Sequence, residues 1–192
     1  KNLKFKEKFF FGCLICSAAT FHLQDLKKAL KICKNILIEK PLFSNPIKEE
    51  TKKFIFSLIK KNKINLQVGY CLRFHPAIEF IKKNVLNKLN SIDRIEVYTS
   101  TYLPFWRKGD YRKQISASRS HGGGVLNELS HEIDLLSYLF GNISLKFSNI
   151  FNSKNLEINT EDHSNIIFGS RKCSNIFMHL DFSTRSEKRE IK

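Results

Sequence analysis

The fold of this chain is decided by the stretch FFFGCLIC, residues 9–16, which is a short continuous run of apolar residues. Such a run is typical of an interior parallel strand that is covered on both faces. The apolar residues that follow recur at helical spacing: Leu23, Leu26, Leu30 and Cys33. Ile36-Leu37-Ile38 is a second apolar run. Strand, helix and strand in this order predict one crossover unit of a parallel sheet.

A second crossover unit is predicted directly after the first. Asn45 followed by Pro46 predicts a helix start, with the proline at the first helical position. The buried stripe of this helix is expected to consist of Ile47, Phe54, Ile55, Leu58 and Ile59. A third strand is predicted from Ile64 to Tyr70. We therefore expect a parallel sheet with helices on its faces.

The hydrophobic pattern changes after Arg73, and we place a domain boundary there. Apolar residues at helical spacing predict a helix that carries Ile78, Ile81, Val85 and Leu89. Alternation of apolar and polar residues over 95–101 then predicts a half-exposed strand. A helix is predicted from the glycines at 122–124 to just before Gly141, and three more strands are predicted at 144–151, 162–168 and 174–182. This second part is expected to be an α+β domain.

The composition indicates a globular chain with a strong positive charge. It has 192 residues, of which 42% are hydrophobic, and this is enough to bury a core. The formal net charge is +15, but the lysines are spread over every segment. No helix-turn-helix, zinc-finger or RNA-binding signature accompanies them, so no specific nucleic-acid partner is expected. A basic nucleic-acid-binding module stays as an alternative on the charge alone.

The apolar segments do not predict a membrane protein. No run approaches the roughly 20 residues that a membrane span requires. The run from Phe9 to Ala19 holds no small-residue cleavage site and continues into a helical pattern, which argues against a signal peptide. We expect a cytoplasmic protein with no membrane partner.

The five cysteines predict neither a disulfide framework nor a metal centre. Their number is odd and their spacing is irregular, so core thiols are expected at Cys13, Cys16, Cys33, Cys71 and Cys173. Cys13 and Cys16 form a C-x-x-C pair, but no second pair lies at a spacing that would complete a zinc site. No metal site is predicted.

Two segments follow predicted strands directly, where open parallel sheets bind their ligands. The first is Glu39-Lys40-Pro41, and a lysine beside a reacting alcohol can hydrogen-bond its oxygen and help to move its proton. The second runs from Gly69 to Pro76 and contains Arg73, which can anchor a cofactor or a substrate oxygen. The alternatives are a solvated surface lysine and an ordinary strand-to-helix turn.

A third segment is GGGVLNELSHEID, residues 122–134. Its three glycines permit a tight turn into a helix. Glu128, His131 and Asp134 then lie at spacings of three, close to one helix face. A histidine beside carboxylates can accept a proton near neutral pH. The alternatives are solvated carboxylates and a packed, structural histidine.

Four segments in this order resemble the glucose-fructose oxidoreductase and inositol dehydrogenase family. They are residues 16–22, 39–41, 69–76 and 122–134. The resemblance implies an α/β fold class, with a partial Rossmann-type parallel sheet followed by an α+β domain that has a largely antiparallel open sheet. Residues 1–73 would form the C-terminal part of a dinucleotide-binding domain, and residues 74–192 an incomplete substrate and oligomerisation domain.

The resemblance also implies a reaction and a set of site residues. The reaction is reversible hydride transfer between NAD or NADP and a hydroxyl carbon of a sugar or nucleotide sugar. The implied catalytic residues are Lys40, His131 and Glu128. The implied cofactor-binding residues are Ser17, Ala18, His22, Glu39, Lys40 and Arg73. The implied substrate-binding residues are Lys40, Arg73, Asn127 and His131. The implied partners are a small-molecule sugar and further copies of the chain, bound through the C-terminal sheet.

Two departures from the family pattern leave alternatives open. The usual aspartate of the family stands four residues before the histidine, where this sequence has Asn127, while the acidic Glu128 stands three before it. The sequence also lacks the opening strand and the G-x-G-x-x-G loop that holds the pyrophosphate. We therefore expect a chain truncated at the N-terminus and at the C-terminus. A catalytically inactive fragment or pseudo-enzyme is the alternative.

Overall fold

The computed structural model describes residues 10–192, which form two compact units that divide after Gly69. The first unit contains three strands and two helices: β1 (Phe10–Ile15), α1 (His22–Ala29), β2 (Cys33–Ile38), α2 (Glu49–Lys61) and β3 (Asn65–Val68). The strands pair in the order β1-β2-β3, and both pairs are parallel. Phe9, the first residue of the predicted strand, lies outside the described residues.

The ends of the helices differ from the predicted ones. Helix α1 ends at Ala29, so Cys33 begins strand β2 and does not extend the helical stripe. Helix α2 begins at Glu49, so the predicted start at Asn45 and Pro46 is wrong. Two glutamates stand in the first turn of α2, and negative side chains are favourable there because they face the positive end of the helix dipole.

The core of the first unit lies on one face of its sheet. Leu26 of α1 and Ile38 of β2 are fully buried in this core. Leu14 and Leu37 point to the other face and are 68% and 43% exposed. Among the described residues of this unit, β1 pairs with β2 alone. The prediction of an interior strand that is covered on both faces is therefore wrong for residues 10–69.

The structure also corrects the prediction for the cysteines. Cys13 of β1 and Cys33 of β2 form a disulfide, with their Cα atoms 6.1 Å apart. This separation lies within the range that a disulfide bridges. The parallel pairing of β1 with β2 brings the two residues together, and their spacing in the sequence does not indicate it. Cys16 and Cys71 are exposed free thiols, whereas Cys173 is a buried thiol as predicted.

The second unit consists of short helices and a five-stranded sheet. Its helices are α3 (Pro76–Phe80), α4 (Leu103–Trp106), α5 (Val125–Glu128) and α6 (Ser130–Phe140). Its strands are β4 (Ile95–Ser100), β5 (Ile143–Phe151), β6 (His163–Ser170), β7 (Ile176–Asp181) and β8 (Lys188–Ile191). They pair in the order β5-β6-β7-β4-β8, and the β4–β7 pair is parallel while the other pairs are antiparallel.

The core of this unit lies between α6 and one face of the sheet. Leu136 of α6, Leu180 of β7 and Phe182 are fully buried. The predicted helix over residues 76–89 is irregular, because α3 continues as a π-helical turn at Ile81–Val85 and a 3₁₀ turn at Leu86–Lys88. Strand β8 was not predicted. The fold class is confirmed: a parallel α/β sheet is followed by an α+β unit with a largely antiparallel sheet.

Within residues 10–192, no helix has the length and apolar character needed to cross a membrane.

Candidate functional site

The turn after β1 carries the first candidate residues of the first unit. Ser17 is half-buried and Ala18 is exposed, and both stand at the carboxyl end of β1. The Ser17 hydroxyl donates a hydrogen bond to the Asp25 carboxylate of α1 at 2.8 Å. The Ala18 carbonyl accepts a hydrogen bond from the Phe21 amide at 2.8 Å, which closes the turn into α1. The sequence therefore builds a short polar turn at the edge where parallel sheets bind ligands.

The turn after β2 carries Glu39 and Lys40 beside that first turn. The Glu39 amide donates to the Ile15 carbonyl of β1 at 2.9 Å, so β1 and β2 end side by side. The Glu39 carboxylate accepts a hydrogen bond from the Lys40 amide at 3.2 Å. Its side chain also lies over Gly69, at the end of β3. Lys40 is half-buried, and the Lys40–Pro41 peptide bond is cis.

His22 lies beneath these two turns and not on an open surface. His22 is 1% exposed, and its ring nitrogens lie close to two backbone carbonyl oxygens. Nδ1 is 2.8 Å from the Pro41 oxygen, and Nε2 is 3.0 Å from the Ser17 oxygen. The resemblance implied that His22 lies along a cofactor. In the structure its ring nitrogens meet backbone oxygens from both turns, and its role toward a cofactor stays a prediction.

The glycine segment of the second unit requires glycine for two different physical reasons. Gly122 and Gly124 have φ angles of 79° and 110°, which L side chains rarely adopt. Gly123 packs against the backbone carbonyls of Ile115 and Ser116, and a Cβ atom would collide with both. The Gly124 amide donates to the Ser116 carbonyl at 3.0 Å. These contacts fix the start of α5.

The helix that follows is broken, and this corrects the predicted spacing of its polar residues. Leu129 has φ −97° and ψ 24° and separates α5 from α6. Glu128 therefore ends α5, whereas His131 stands in the first turn of α6. The three-residue spacing of one continuous helix does not hold between them.

Glu128 and Asn127 each have partners within the second unit. One oxygen of the Glu128 carboxylate accepts a hydrogen bond from the Ser116 hydroxyl at 2.5 Å. The other oxygen lies 3.7 Å from the Arg107 guanidinium. The Asn127 side-chain amide donates to the Gly122 carbonyl at 3.0 Å. Ser116 and Arg107 were not singled out in the sequence, because both lie in an irregular loop without a recognisable motif.

His131 is half-buried and packs on an aromatic ring. Tyr70 stands edge-on to the imidazole, with the ring centroids 5.5 Å apart. Burial raises the pKa of the Tyr70 hydroxyl above its ordinary value, although a hydrogen bond with Ser130 opposes this effect. Tyr70 therefore stays protonated at neutral pH and presents a fixed neutral surface to His131.

Arg73 forms a bidentate ion pair with Asp134 of α6. Its Nε donates to Asp134 Oδ2 at 2.8 Å, and its Nη2 donates to Asp134 Oδ1. The hydrogen bond with Asp134 raises the pKa of Arg73 above its usual value, and burial opposes it. The Arg73 guanidinium also lies 5.3 Å from the centroid of the Tyr138 ring of α6. Lys82 Nζ lies 3.3 Å from the same centroid. The arginine is therefore anchored to the helix that carries His131.

The first unit thus brings together the polar turns that carry Ser17 and Lys40, with His22 beneath them. In the second unit Arg73 pairs with Asp134 of α6, the same helix carries His131 in its first turn, and Glu128 ends the preceding helix α5. Tyr70 is a polar neighbour of His131 that the sequence pattern did not assign, and the pattern placed Asp134 beside His131 without indicating its ion pair with Arg73. Among the described residues, no group of three or more His, Cys, Asp and Glu side chains could hold a metal ion.

Solved structures with the same fold include dehydrogenases bound to a nicotinamide cofactor. The WlbA dehydrogenase from Bordetella pertussis in complex with NADH and UDP-GlcNAcA superposes with a TM-score of 0.76, at 16% identity, over 94% of this chain and 54% of that one. The WlbA (WbpB) dehydrogenase from Thermus thermophilus in complex with NAD and alpha-ketoglutarate gives 0.69, at 20% identity, over 90% and 51%. A putative myo-inositol dehydrogenase from Sinorhizobium meliloti 1021 gives 0.70, at 14% identity, over 93% and 53%. At these identities the likeness shows the fold.

A sequence relative gives a second, independent comparison. The uncharacterized oxidoreductase YrbE from Bacillus subtilis (strain 168) is 29% identical over 127 residues, which are 66% of this chain and 34% of YrbE. The chain thus spans about a third of the length of this relative and about half the length of the solved structures. No protein-family model matches the chain.

Proposed function

We propose that this chain supplies the catalytic lysine and histidine of an NAD(P)-dependent dehydrogenase of the glucose-fructose oxidoreductase and inositol dehydrogenase family. Its substrate would be a hydroxyl carbon of a sugar or nucleotide sugar. The observation that carries this proposal is the agreement between the positions of the sequence motifs and the fold. Lys40 is the second residue after β2 and His131 stands in the first turn of α6, in a chain whose fold matches dehydrogenases solved with NAD or NADH.

The turns after β1 and β2 fit a nicotinamide cofactor in their chemistry. Both stand at the carboxyl edge of a parallel sheet, and they present the small Ala18 and the polar Ser17 and Glu39. In this proposal Ser17, Ala18, Glu39 and Lys40 contact the cofactor, and Arg73 approaches its nicotinamide side. When bound, the nicotinamide would supply the hydride acceptor of the reaction.

The residues of the chain would handle the substrate proton. Lys40 would hydrogen-bond the reacting hydroxyl and stabilise the negative charge that develops on its oxygen. His131 would accept the proton, because a histidine can change its charge near neutral pH. Arg73, held by Asp134, and Asn127 would orient the sugar hydroxyls. Glu128 is proposed as the acidic partner, with its carboxylate oriented by the Ser116 hydroxyl.

A chimera tests this function directly. The residues of the Thermus thermophilus WlbA dehydrogenase that superpose on this chain are replaced by residues 10–192, and NADH formation is followed by absorbance with UDP-GlcNAcA and with simple sugars. We expect NADH formation with at least one of these compounds. A folded chimera that binds NAD but turns over none of them would favour the inactive pseudo-enzyme.

We further propose that the outward face of the five-stranded sheet binds a second copy of the chain. Phe147 and Phe177 on this face are 55% and 37% exposed, and they line a groove of about 340 Å³. Lys188 and Glu190 also line the groove, and charges of both signs suit a self-complementary contact. Exposed apolar surface of this kind is typical of a subunit interface.

Measuring the oligomeric state in solution tests this proposed interface. We expect the wild-type chain to be at least a dimer in sedimentation equilibrium and Phe177→Asp to be a monomer. Phe105→Asp is the matched control, since Phe105 is 80% exposed in helix α4 and lies outside the groove. A monomeric wild-type chain would contradict the proposal, as would a Phe177→Asp variant that associates normally.

A further inference from the structure

We propose that His22 is a positioning residue that fixes the turn after β1 against the turn after β2 and thereby sets the place of Lys40. The importance of this role for catalysis rests on the proposed function, because that function assigns Lys40 to the reacting hydroxyl. The geometric role itself rests on the first unit alone.

The His22 ring bridges two backbone carbonyls. Its Nδ1 lies 2.8 Å from the Pro41 oxygen, and its Nε2 lies 3.0 Å from the Ser17 oxygen. A neutral imidazole donates a hydrogen bond from one nitrogen, and a protonated imidazole donates from both. Both partner oxygens belong to turns, where the sheet ladder supplies no donor. Because His22 is 1% exposed, its ring has no open surface for a ligand.

Helix α1 holds the bridging ring in place. His22 is the first residue of this helix, and Leu26 and Ala29 bury the next turns in the core of the unit. The Ser17 hydroxyl donates to Asp25 of the same helix at 2.8 Å. The turn after β1 is therefore tied to α1 at two points, and His22 is the point that also reaches the turn after β2.

The backbone on both sides of Lys40 is held by hydrogen bonds. On the N-terminal side, the Glu39 amide donates to the Ile15 carbonyl, and the Glu39 carboxylate accepts from the Lys40 amide. On the C-terminal side, the Pro41 carbonyl meets His22 Nδ1. Loss of the His22 ring nitrogens therefore loosens the whole turn that contains Lys40, including its exposed amide contact with Glu39, together with the turn at Ser17, and leaves the ladder between β1 and β2 intact.

Amide hydrogen exchange on the 192-residue chain, followed by NMR, tests this inference. In His22→Phe, which keeps a buried ring but has no donor, we expect the Lys40 and Phe21 amides to exchange about tenfold faster or more, as in local opening. The Ile36 amide of β2 is expected to keep its protection. His22→Gln keeps a donor and should restore part of the protection. His121→Phe is the matched control, because His121 lies in the second unit and is exposed.

Two outcomes would overturn the inference. Unchanged exchange at Lys40 and Phe21 in His22→Phe would show that the ring does not hold the turns. Equal loss of protection at Ile36 would show that it acts through core packing. These measurements use neither cofactor nor substrate, so failure of the proposed dehydrogenase activity leaves their result standing.

A measurement on the wild-type chain covers the case in which His22→Phe does not fold. A long-range ¹H–¹⁵N spectrum reports exchange of the imidazole protons. We expect a ring N–H of His22 to be protected, unlike those of the exposed His75. Exchange as fast as that of His75 would contradict the bridge.

Discussion

Alanine at Lys40 or at His131 is expected to lower kcat by about 10²- to 10⁴-fold, the range found for general acid–base groups. The measurement is steady-state turnover by the chimera with the Thermus thermophilus dehydrogenase. In the proposed mechanism each side chain interacts with the reacting hydroxyl more strongly as charge develops on its oxygen. The loss should therefore fall on kcat, and the dissociation constant for NAD should change much less.

Matched controls separate chemistry from charge and folding. Lys34→Ala removes an exposed lysine from β2, and His121→Ala removes an exposed histidine from the second unit, so both should leave kcat near the parent value. Normal turnover in His131→Ala would remove the proposed mechanism. A large loss in Lys34→Ala would show that the assay reports charge or folding and not proton transfer.

The parallel sheet could be predicted because its signal is local. The apolar runs at residues 9–16 and 36–38 each need only neighbouring residues to be recognised, and they became β1 and β2. The polar turn at residues 39–41 was predicted as a ligand-binding edge for the same reason, whereas the turn after β1 was assigned a role by the family resemblance alone. The His22 contacts could not be predicted, because they join residues from two turns through a buried ring. Spacing along the chain contains no sign of such a bridge.

The broken helix and the last strand were missed for different reasons. The residues around Leu129 have ordinary helical propensity, and the break accompanies the glycine turn and the Ser116–Glu128 contact, both of which depend on tertiary structure. Strand β8 has the sequence KREI, and among the described residues it pairs with β4 alone. Three of its four residues are charged, and these charges conceal the strand in a search for apolar runs.

Strand β8 supplies Arg189, which is the ion-pair partner of the buried Glu132 carboxylate. Loss of this arginine should destabilise the folded chain. Arg189 of β8 places its Nε 3.0 Å from a Glu132 oxygen, and the Glu132 side chain is fully buried on α6. We expect Arg189→Ala to lower the free energy of unfolding by about 3 kcal/mol at neutral pH, because it leaves a buried carboxylate uncompensated. Urea unfolding measures this loss. Lys188→Ala, on the same strand, should cost far less because its ion pair with Glu190 is exposed.

The loss of stability in Arg189→Ala should depend on pH through the protonation state of Glu132. Burial raises the pKa of Glu132, and Arg189 opposes that rise. A raised pKa means that the folded state holds its proton more tightly than the unfolded state, so stability falls as the pH rises through this window. Without Arg189 the pKa of Glu132 rises further, and the variant should recover part of its stability when the pH is lowered from neutral, because Glu132 then takes up a proton. In a Glu132→Gln background, Arg189→Ala should cost little at either pH. An equal loss in both backgrounds would show that Arg189 stabilises the fold through its packing and not through this carboxylate.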